Sequence, residues 1–320
     1  MKNFILLGIL MIFNISCMNQ KNEHGNDYVI ADSTLSSLGE GALWDAEGNR
    51  LFYVDILGKK LYEFYPGSEE LISHDMPSMI GTVVVKNQDE VLVALVDGVY
   101  TYNLKNRSLE FLACPPENDS TQRFNDGKCD PSGRFWVGTM SLVGGKEGSH
   151  LFCLDKEGNF TVKLEGITTS NGIVWSSDKK YMYYIDTPTR KVMEYSYDDS
   201  SGALGSSRIA VNVPDSLGFP DGMAIDANDH LWVCMWGGGS VCCFDRKTGQ
   251  LIDRILVPAK NVTSCAFSGD KLNELYVTSA RVGTSEEELQ RYPNAGALFK
   301  FTLKYTGKAG NRYFTNTRVL

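Results

Sequence analysis

Residues 219–245 contain three short apolar runs that are separated by turns, and this phrase recurs along the chain. The runs alternate with polar or glycine-rich segments: Met223–Ile225, Leu231–Met235 and Val241–Phe244. Short runs of this kind, bounded by turn residues, indicate β-strands rather than helices. An acidic residue, Asp221, lies just ahead of the first run.

Related two-strand phrases occur six times: residues 51–65, 91–103, 134–155, 181–198, 231–245 and 275–303. A repeat of roughly 40–50 residues is typical of a β-propeller, in which each unit is a four-stranded blade. We therefore predict an all-β fold, a six-bladed β-propeller with four antiparallel strands per blade, at residues 28–305. The segment Tyr28–Leu35 is expected to close the ring by completing the last blade, and 306–320 forms a C-terminal segment. The one predicted helix is 285–292, which Ser285 would cap.

The first 17 residues differ from the rest, because Phe4–Ile15 is almost entirely apolar and follows Lys2. This run is too short to span a bilayer and is typical of a signal peptide. Ser16 and Cys17 resemble a bacterial lipoprotein processing site, which predicts a lipid on Cys17 and a tether at 18–27. Secretion without a lipid is the alternative. In both cases we expect an exported protein, periplasm-facing or at the cell surface if it is lipidated.

Composition excludes several kinds of partner. The net charge is −8, and no basic cluster occurs, which argues against nucleic acid and anionic membrane surfaces. Membrane contact is therefore expected only through the lipid anchor. The cysteines after Cys17 show no CxxC or zinc spacing, so we expect at most one disulfide and no thiol chemistry. We expect a monomer.

Four repeats carry an oxygen-bearing side chain five residues before the residue that starts a turn: Glu40, Asn125, Asn171 and Asp221. The first strand of each propeller blade lines the central channel, so these side chains should converge near the axis. We call this position the slot. The second blade has Ile80–Gly81 there, and the sixth has Ser264–Cys265.

Glu40, Asn171 and Asp221 are predicted to hold one divalent metal ion at the mouth of the channel. Carboxylate and amide oxygens are hard ligands that favour Ca²⁺, Mg²⁺ or Mn²⁺, with Zn²⁺ also open. The four histidines do not cluster in the sequence, which argues against a histidine-based zinc site. The alternative is that Asn171-Gly172 and Asp221-Gly222 are only hairpin turns.

Five motifs resemble the SMP-30/gluconolactonase/LRE family of regucalcin-like sugar lactonases: LGEGALW (38–44), RFNDGKCDPSGRFWVGTM (123–140), TSNGIVWSSD (169–178), PDGMAID (220–226) and TSCAFSGDKLNELYVTSAR (263–281). The resemblance implies that Glu40, Asn171 and Asp221 bind the metal. It also implies that Arg123 and Asn125 contact substrate hydroxyl groups.

The chain departs from the family at two places. Ala42 stands where the family usually has proline. Leu142 and Val143 stand where regucalcin-like members carry a pair of glutamates that reaches the sugar. This second departure weakens the expected preference for sugar lactones over other lactones.

The predicted function is a divalent-metal-dependent hydrolase that opens a lactone ring, with an aldonolactone as the small-molecule substrate, as in gluconolactonases. Asp221 would be the catalytic base as well as a metal ligand, whereas Glu40 would supply charge to the metal. Arg123 would orient the substrate or assist the oxyanion, with a structural salt bridge as its alternative role. Asp126 and Asp186 are read as supporting or structural residues.

The sequence leaves two alternative functions open. One is another metal-dependent enzyme on the same propeller, an esterase or phosphotriesterase. The other is a non-catalytic metal-binding propeller. The chain has no G-x-S-x-G motif or Ser/His/Asp arrangement, so a covalent acyl-enzyme mechanism is not expected. The tryptophans lie mainly in strand phrases and are expected in the core, with Trp236 the least so.

Overall fold

The computed structural model describes residues 20–21, 27–116, 119–144 and 148–314. These residues form six antiparallel sheets, five with four strands and one with five. The predicted six-bladed β-propeller is confirmed. The predicted signal peptide, the lipidation site Cys17 and most of the tether lie outside the described residues and stay predictions.

Blades 1 to 5 each use four consecutive strands, numbered along the chain after two N-terminal strands, β1 (Gln20–Lys21) and β2 (Asp27–Asp32). Blade 1 contains β3 (Gly39–Asp45), β4 (Arg50–Asp55), β5 (Lys60–Tyr65) and β6 (Glu70–Asp75). Blade 2 contains β7 (Ile80–Val85), β8 (Glu90–Leu95), β9 (Val99–Asn103) and β10 (Leu109–Ala113). Blade 3 contains β11 (Gln122–Cys129), β12 (Phe135–Ser141), β13 (Ser149–Leu154) and β14 (Phe160–Ile167).

Blade 4 contains β15 (Ser170–Trp175), β16 (Tyr181–Asp186), β17 (Lys191–Asp198) and β18 (Ala203–Asn212). Blade 5 contains β19 (Phe219–Ile225), β20 (Leu231–Trp236), β21 (Ser240–Phe244) and β22 (Leu251–Leu256). Blade 6 combines β23 (Asn261–Ser268), β24 (Glu274–Ala280) and β25 (Leu298–Thr302) with β2 and β1. Because β2 pairs with β25, an N-terminal strand closes the ring, in agreement with the sequence prediction.

Helical structure is sparse among the described residues. The helix α1 (Glu286–Arg291) carries the expected capping box, in which Ser285 and Glu288 bond reciprocally to each other's backbone. Two 3₁₀ turns cover Thr187–Thr189 and Asp215–Leu217. In the described part of the chain, we find no helix with the length and apolar character needed to cross a membrane.

Burial decreases from the axis outward, as a ring of packed blades requires. The innermost strands β3, β15 and β23 are buried along their whole length, whereas the outermost strands β14 and β18 are mostly exposed or half-buried. The apolar core fills the spaces between neighbouring blades, and Trp136 and Trp232 are among its largest buried side chains. All described cysteines are free thiols, and all of them except Cys114 are buried.

Each innermost strand carries a β-bulge near its start, where its pairing with the second strand of the blade slips. A bulge redirects side chains out of the regular pleat, and here it coincides with the predicted slot. The structure shifts the slot of blade 6 by one residue, from the expected Ser264–Cys265 to Thr263–Ser264. Pairing resumes there at Cys265, which faces Val277, so Thr263 and Ser264 occupy the bulge.

Glycines follow the slot residues because neighbouring innermost strands approach closely. A Cβ atom on Gly222 would lie 2.6 Å from the carbonyl oxygen of Thr263, which is in the next blade. A Cβ atom on Gly172 would lie 2.8 Å from the carbonyl oxygen of Asp221. Glycine therefore sets how tightly the ring closes around the slot.

The C-terminal segment crosses the opposite face of the propeller. Its backbone contacts reach several blades: Thr306 with Ala227, Asn311 with Cys129, and Tyr313 with Val85. A cavity of about 190 Å³ lies under this segment, between the ends of the innermost strands that are remote from the slot. Residues 306–314 therefore cover the rear of the channel, and the slot lies at the opposite end, the mouth.

We predict that Gly222→Ala destabilises the fold by about 1–3 kcal/mol, because an added methyl group must displace the backbone of the next blade. The free energy of unfolding, measured in urea, checks this. Gly67→Ala is the matched control, since a Cβ atom there meets nothing within 4 Å and should change stability by less than about 0.5 kcal/mol. Equal stability of the two variants would contradict the close-approach argument.

Candidate functional site

The four slot side chains meet at the mouth of the channel. The Nδ2 of Asn125 donates to Oδ1 of Asn171 at 3.0 Å, and the carboxyl groups of Glu40 and Asp221 lie close enough to interact electrostatically. All four residues are at most 5% exposed. Asn171-Gly172 and Asp221-Gly222 lie inside strands β15 and β19, so they are not hairpin turns.

The site brings several buried carboxyl groups close together. Burial, and then the charge of Asp126, raises the pKa of Glu40 to about 8. Burial, and then the charge of Glu40, raises the pKa of Asp221 well above its ordinary value. Burial also raises the pKa of Asp126, although Lys128 opposes this shift. Two like charges this close are unfavourable without a compensating cation, so burial and mutual repulsion both favour the protonated forms of the two carboxyl groups.

The arrangement of donor atoms fits a divalent cation. The Oδ1 of Asp221 is buried without a hydrogen-bond partner among the described residues, which is costly unless something binds there. Glu40, Asp221 and Asn171 together offer two carboxylates and one amide oxygen, the hard ligands that Ca²⁺, Mg²⁺ and Mn²⁺ prefer. These three residues could therefore hold the ion that the sequence predicts.

Thr187 fixes the orientation of the Asn171 amide. Its hydroxyl donates to the carbonyl oxygen of Pro220 at 2.9 Å, so it is left to accept from Nδ2 of Asn171 at 2.8 Å. The Oδ1 of Asn171 therefore faces Asn125 and the centre of the site. Sequence reasoning missed Thr187, because it lies in a 3₁₀ turn after β16 and outside the repeated slot.

Arg123 extends the site from the slot residue Asn125 along strand β11 of blade 3. The Nη1 of Arg123 donates to Oδ1 of Asn125 at 2.7 Å and to the carbonyl oxygen of Phe124 at 2.9 Å. Burial lowers the pKa of Arg123 to about 10, although the charges of Glu40 and Asp221 oppose this shift. Both of these hydrogen bonds go to neutral oxygens, which does not favour the salt-bridge alternative. The guanidinium remains charged at neutral pH.

Two other acidic residues have different surroundings. Asp186 accepts the backbone N–H groups of Thr168 and Thr169 and so anchors the entry to blade 4, the structural role expected for it. Asp126 accepts the N–H of Gly127 through Oδ1, but its Oδ2 is buried without a partner among the described residues. Asp126 is therefore a third buried acid beside the slot pair.

A second group with metal-ligand atoms, Asp226, His230 and Cys243, lies at the rear of blade 5. The carboxylate of Asp226 already accepts from Nδ1 of His230 at 2.9 Å and from Nε1 of Trp232 at 3.2 Å. Asp130 of blade 3 makes the same contacts with Arg134 and Trp136. Because the repeat uses arginine in place of the histidine, this is a structural motif that ties a turn to a tryptophan.

We predict that the free energy of unfolding of the metal-free protein decreases as the pH rises from about 5 to about 8. The folded pKa of Glu40 is raised to about 8 from an ordinary value of 4.5, so the folded chain holds a proton that the unfolded chain has lost. Urea unfolding of EDTA-treated protein at several pH values measures this. Glu40→Gln should reduce the decrease, and an identical pH dependence in that variant would contradict it.

Comparison with known proteins places this site in a family. The chain matches the model of the SMP-30/gluconolactonase/LRE-like region over residues 38–281. A Bacillus subtilis protein provisionally named a sugar lactone lactonase is 40% identical over 281 residues, covering 88% of this chain and 96% of the relative. Regucalcin of Xenopus laevis is 35% identical over 276 residues, covering 84% of this chain and 92% of the relative.

Solved structures agree with the sequence relatives. A crystal structure of regucalcin from Agrobacterium tumefaciens, described as a calcium-binding protein, matches with a TM-score of 0.85 and 28% identity. The match covers 89% of this chain and 97% of that chain. The family match spans the motifs that contain every slot residue, from Glu40 to Asp221. This chain therefore belongs to the SMP-30/gluconolactonase/LRE-like family.

Proposed function

We propose that this protein is a divalent-metal-dependent lactonase whose site lies at the mouth of the propeller. The observation that carries the proposal is the buried pair Glu40 and Asp221, in which Asp221 keeps one oxygen without a partner among the described residues. Asn171, Asn125 and Arg123 adjoin this pair in one hydrogen-bonded row. The names of the relatives, sugar lactone lactonase and regucalcin, support the reaction and the metal.

Glu40, Asn171 and Asp221 would hold the ion through their side-chain oxygens. When it is bound, the ion polarises the lactone carbonyl and makes a bound water more acidic. Its positive charge would also stabilise the ionised forms of the two carboxyl groups, which burial and mutual repulsion disfavour. The ion itself can be Ca²⁺, Mg²⁺, Mn²⁺ or Zn²⁺.

Asp221 would act as the base. Its carboxylate would take a proton from the attacking water while the water oxygen bonds to the lactone carbonyl carbon. The ring C–O bond would then break, the ring oxygen would take the proton back from the Asp221 carboxyl group, and a hydroxy acid would leave. A raised pKa makes Asp221 a stronger base once it is ionised, which suits this role.

Arg123 and Asn125 would orient the substrate. Arg123 is charged and rigidly held by Asn125, so its remaining N–H groups can donate to ring or carbonyl oxygens. Aldonolactones are the substrates that the family resemblance implies, and we propose them as substrates of this protein. An esterase or phosphotriesterase activity is the enzymatic alternative, and binding of a ligand without turnover is the non-enzymatic one.

We predict that EDTA abolishes lactone hydrolysis and that one of Ca²⁺, Mg²⁺, Mn²⁺ or Zn²⁺ restores it. A pH-stat assay measures this with D-glucono-δ-lactone, γ-butyrolactone, phenyl acetate and an organophosphate. Glu40→Gln should require a higher metal concentration for half-maximal activity, because the ion loses a charged ligand. Hydrolysis of the ester or the organophosphate alone would support the other enzyme class, and no turnover of any compound would support a binding protein.

We predict that Asp221→Asn lowers kcat by about 10²–10⁴-fold, because the amide cannot accept the proton of the attacking water. Asp75→Asn is the matched control. It makes the same change of charge at a side chain that is 85% exposed, and it should retain wild-type turnover. Turnover by Asp221→Asn at the wild-type rate, with metal saturating, would show that Asp221 is not the base.

A further inference from the structure

Exposed large apolar side chains are unevenly distributed over the described surface. Eleven of them are exposed, and five lie on the outermost strands of blades: Phe111, Val162, Ile209, Leu251 and Ile252. The other six lie in connections or strand starts at the mouth end: Leu35, Leu57, Leu142, Val143, Phe219 and Val282. Among the described residues, none lies on the rear face. The exposed apolar side chains outside the outermost strands are therefore confined to the mouth face, and apolar surface concentrated on one face indicates a binding surface for an apolar group.

Two of these side chains adjoin the residues predicted to bind the substrate. Leu142 and Val143 directly follow β12, in which Met140 pairs with Arg123 and Ser141 pairs with Gln122. Leu142 is 43% exposed and Val143 is 76% exposed. The backbone N–H of Leu142 donates to the carbonyl oxygen of Thr121 at 2.7 Å, which holds this loop against the start of β11.

Phe219 begins the innermost strand of blade 5 at the mouth end, two residues before Asp221. The guanidinium of Arg190 covers one face of its ring at 3.8 Å from the centroid. Arg190 is itself held by the carbonyl oxygen of Gly218 at 2.7 Å and by Asp215 at 3.2 Å. Phe219 is therefore a fixed aromatic wall that is still 40% exposed, and it pairs with the half-buried Trp236.

The chemistry of Leu142 and Val143 does not suit a polyhydroxylated ring. Neither side chain can accept a hydrogen bond, so a sugar hydroxyl placed against them would lose its bonds to water without replacement. An alkyl or aryl group placed there gains the transfer free energy of its buried surface, up to about fourfold in affinity for each methylene group.

We propose that Leu142, Val143 and Phe219, here called the apolar rim, bind an apolar substituent on the lactone ring. The preferred substrates are then lactones that carry an alkyl or aryl chain, rather than bare aldonolactones. The ring sits against Arg123 and Asp221, and the chain extends outward over the rim. This inference rests on the proposed lactonase function and names its substrate class.

A series of γ-lactones with side chains from zero to eight carbons tests the proposal, with D-glucono-δ-lactone as the polar comparison. We expect kcat/KM to rise by about two- to fourfold per methylene over the first several carbons and then to level off, mainly through KM. Leu142→Glu combined with Val143→Glu should flatten this dependence on chain length. Leu251→Glu combined with Ile252→Glu, on the outermost strand β22, is the matched control and should keep it.

The outcomes separate this inference from the proposed function. If no lactone is opened with any metal, the lactonase proposal itself fails. If aldonolactones and γ-butyrolactone are opened but kcat/KM does not change with chain length, only the apolar rim is overturned. The apolar rim is also overturned if the double Glu variant keeps the chain-length dependence but loses another property. That property would be binding to lipid vesicles, measured by flotation, or dimer formation, measured by light scattering.

Discussion

The candidate site depends on two carboxyl groups that the ring holds together in a buried position near its axis. Glu40 comes from blade 1 and Asp221 from blade 5, and burial raises the pKa of both. Such a pair is unfavourable by itself, because each charge loses its hydration and repels the other. The rest of the ring must therefore be rigid enough to hold the pair in place. Its interleaved apolar core and N-terminal closure strand provide that rigidity.

Rigidity at the mouth has a local origin as well. The bulges in the innermost strands turn the slot side chains toward the axis, and glycines such as Gly222 let the next strand pass at close range. Asn125, Asn171 and Thr187 then join blades 3 and 4 to the backbone beside Asp221 through side-chain hydrogen bonds. The same hydrogen bonds therefore position both the residues predicted to bind the substrate and those predicted to bind the metal.

The two ends of the same strands use acidic residues in opposite ways. At the rear, the carboxylates of Asp130 and Asp226 are saturated by tryptophan, by arginine or histidine, and by backbone donors. At the mouth, Asp221 and Asp126 each keep a buried oxygen without a partner among the described residues. A satisfied carboxylate stabilises a turn, whereas an unsatisfied one is available to a ligand. This contrast distinguishes structural acids from candidate functional ones more clearly than burial does.

The sequence by itself determined the class of fold and the slot, because a strand repeat imposes equivalent positions and the strand period is readable from residue types. It also indicated that Leu142 and Val143 depart from the family. Only the tertiary structure decided the partners of each side chain. Three findings depend on which segments lie next to each other in the folded chain. They are the orientation of Asn171 by Thr187, the one-residue shift at Ser264, and the exposed apolar residues at the mouth. These contacts join residues that are far apart in the sequence, so no local sequence pattern encodes them.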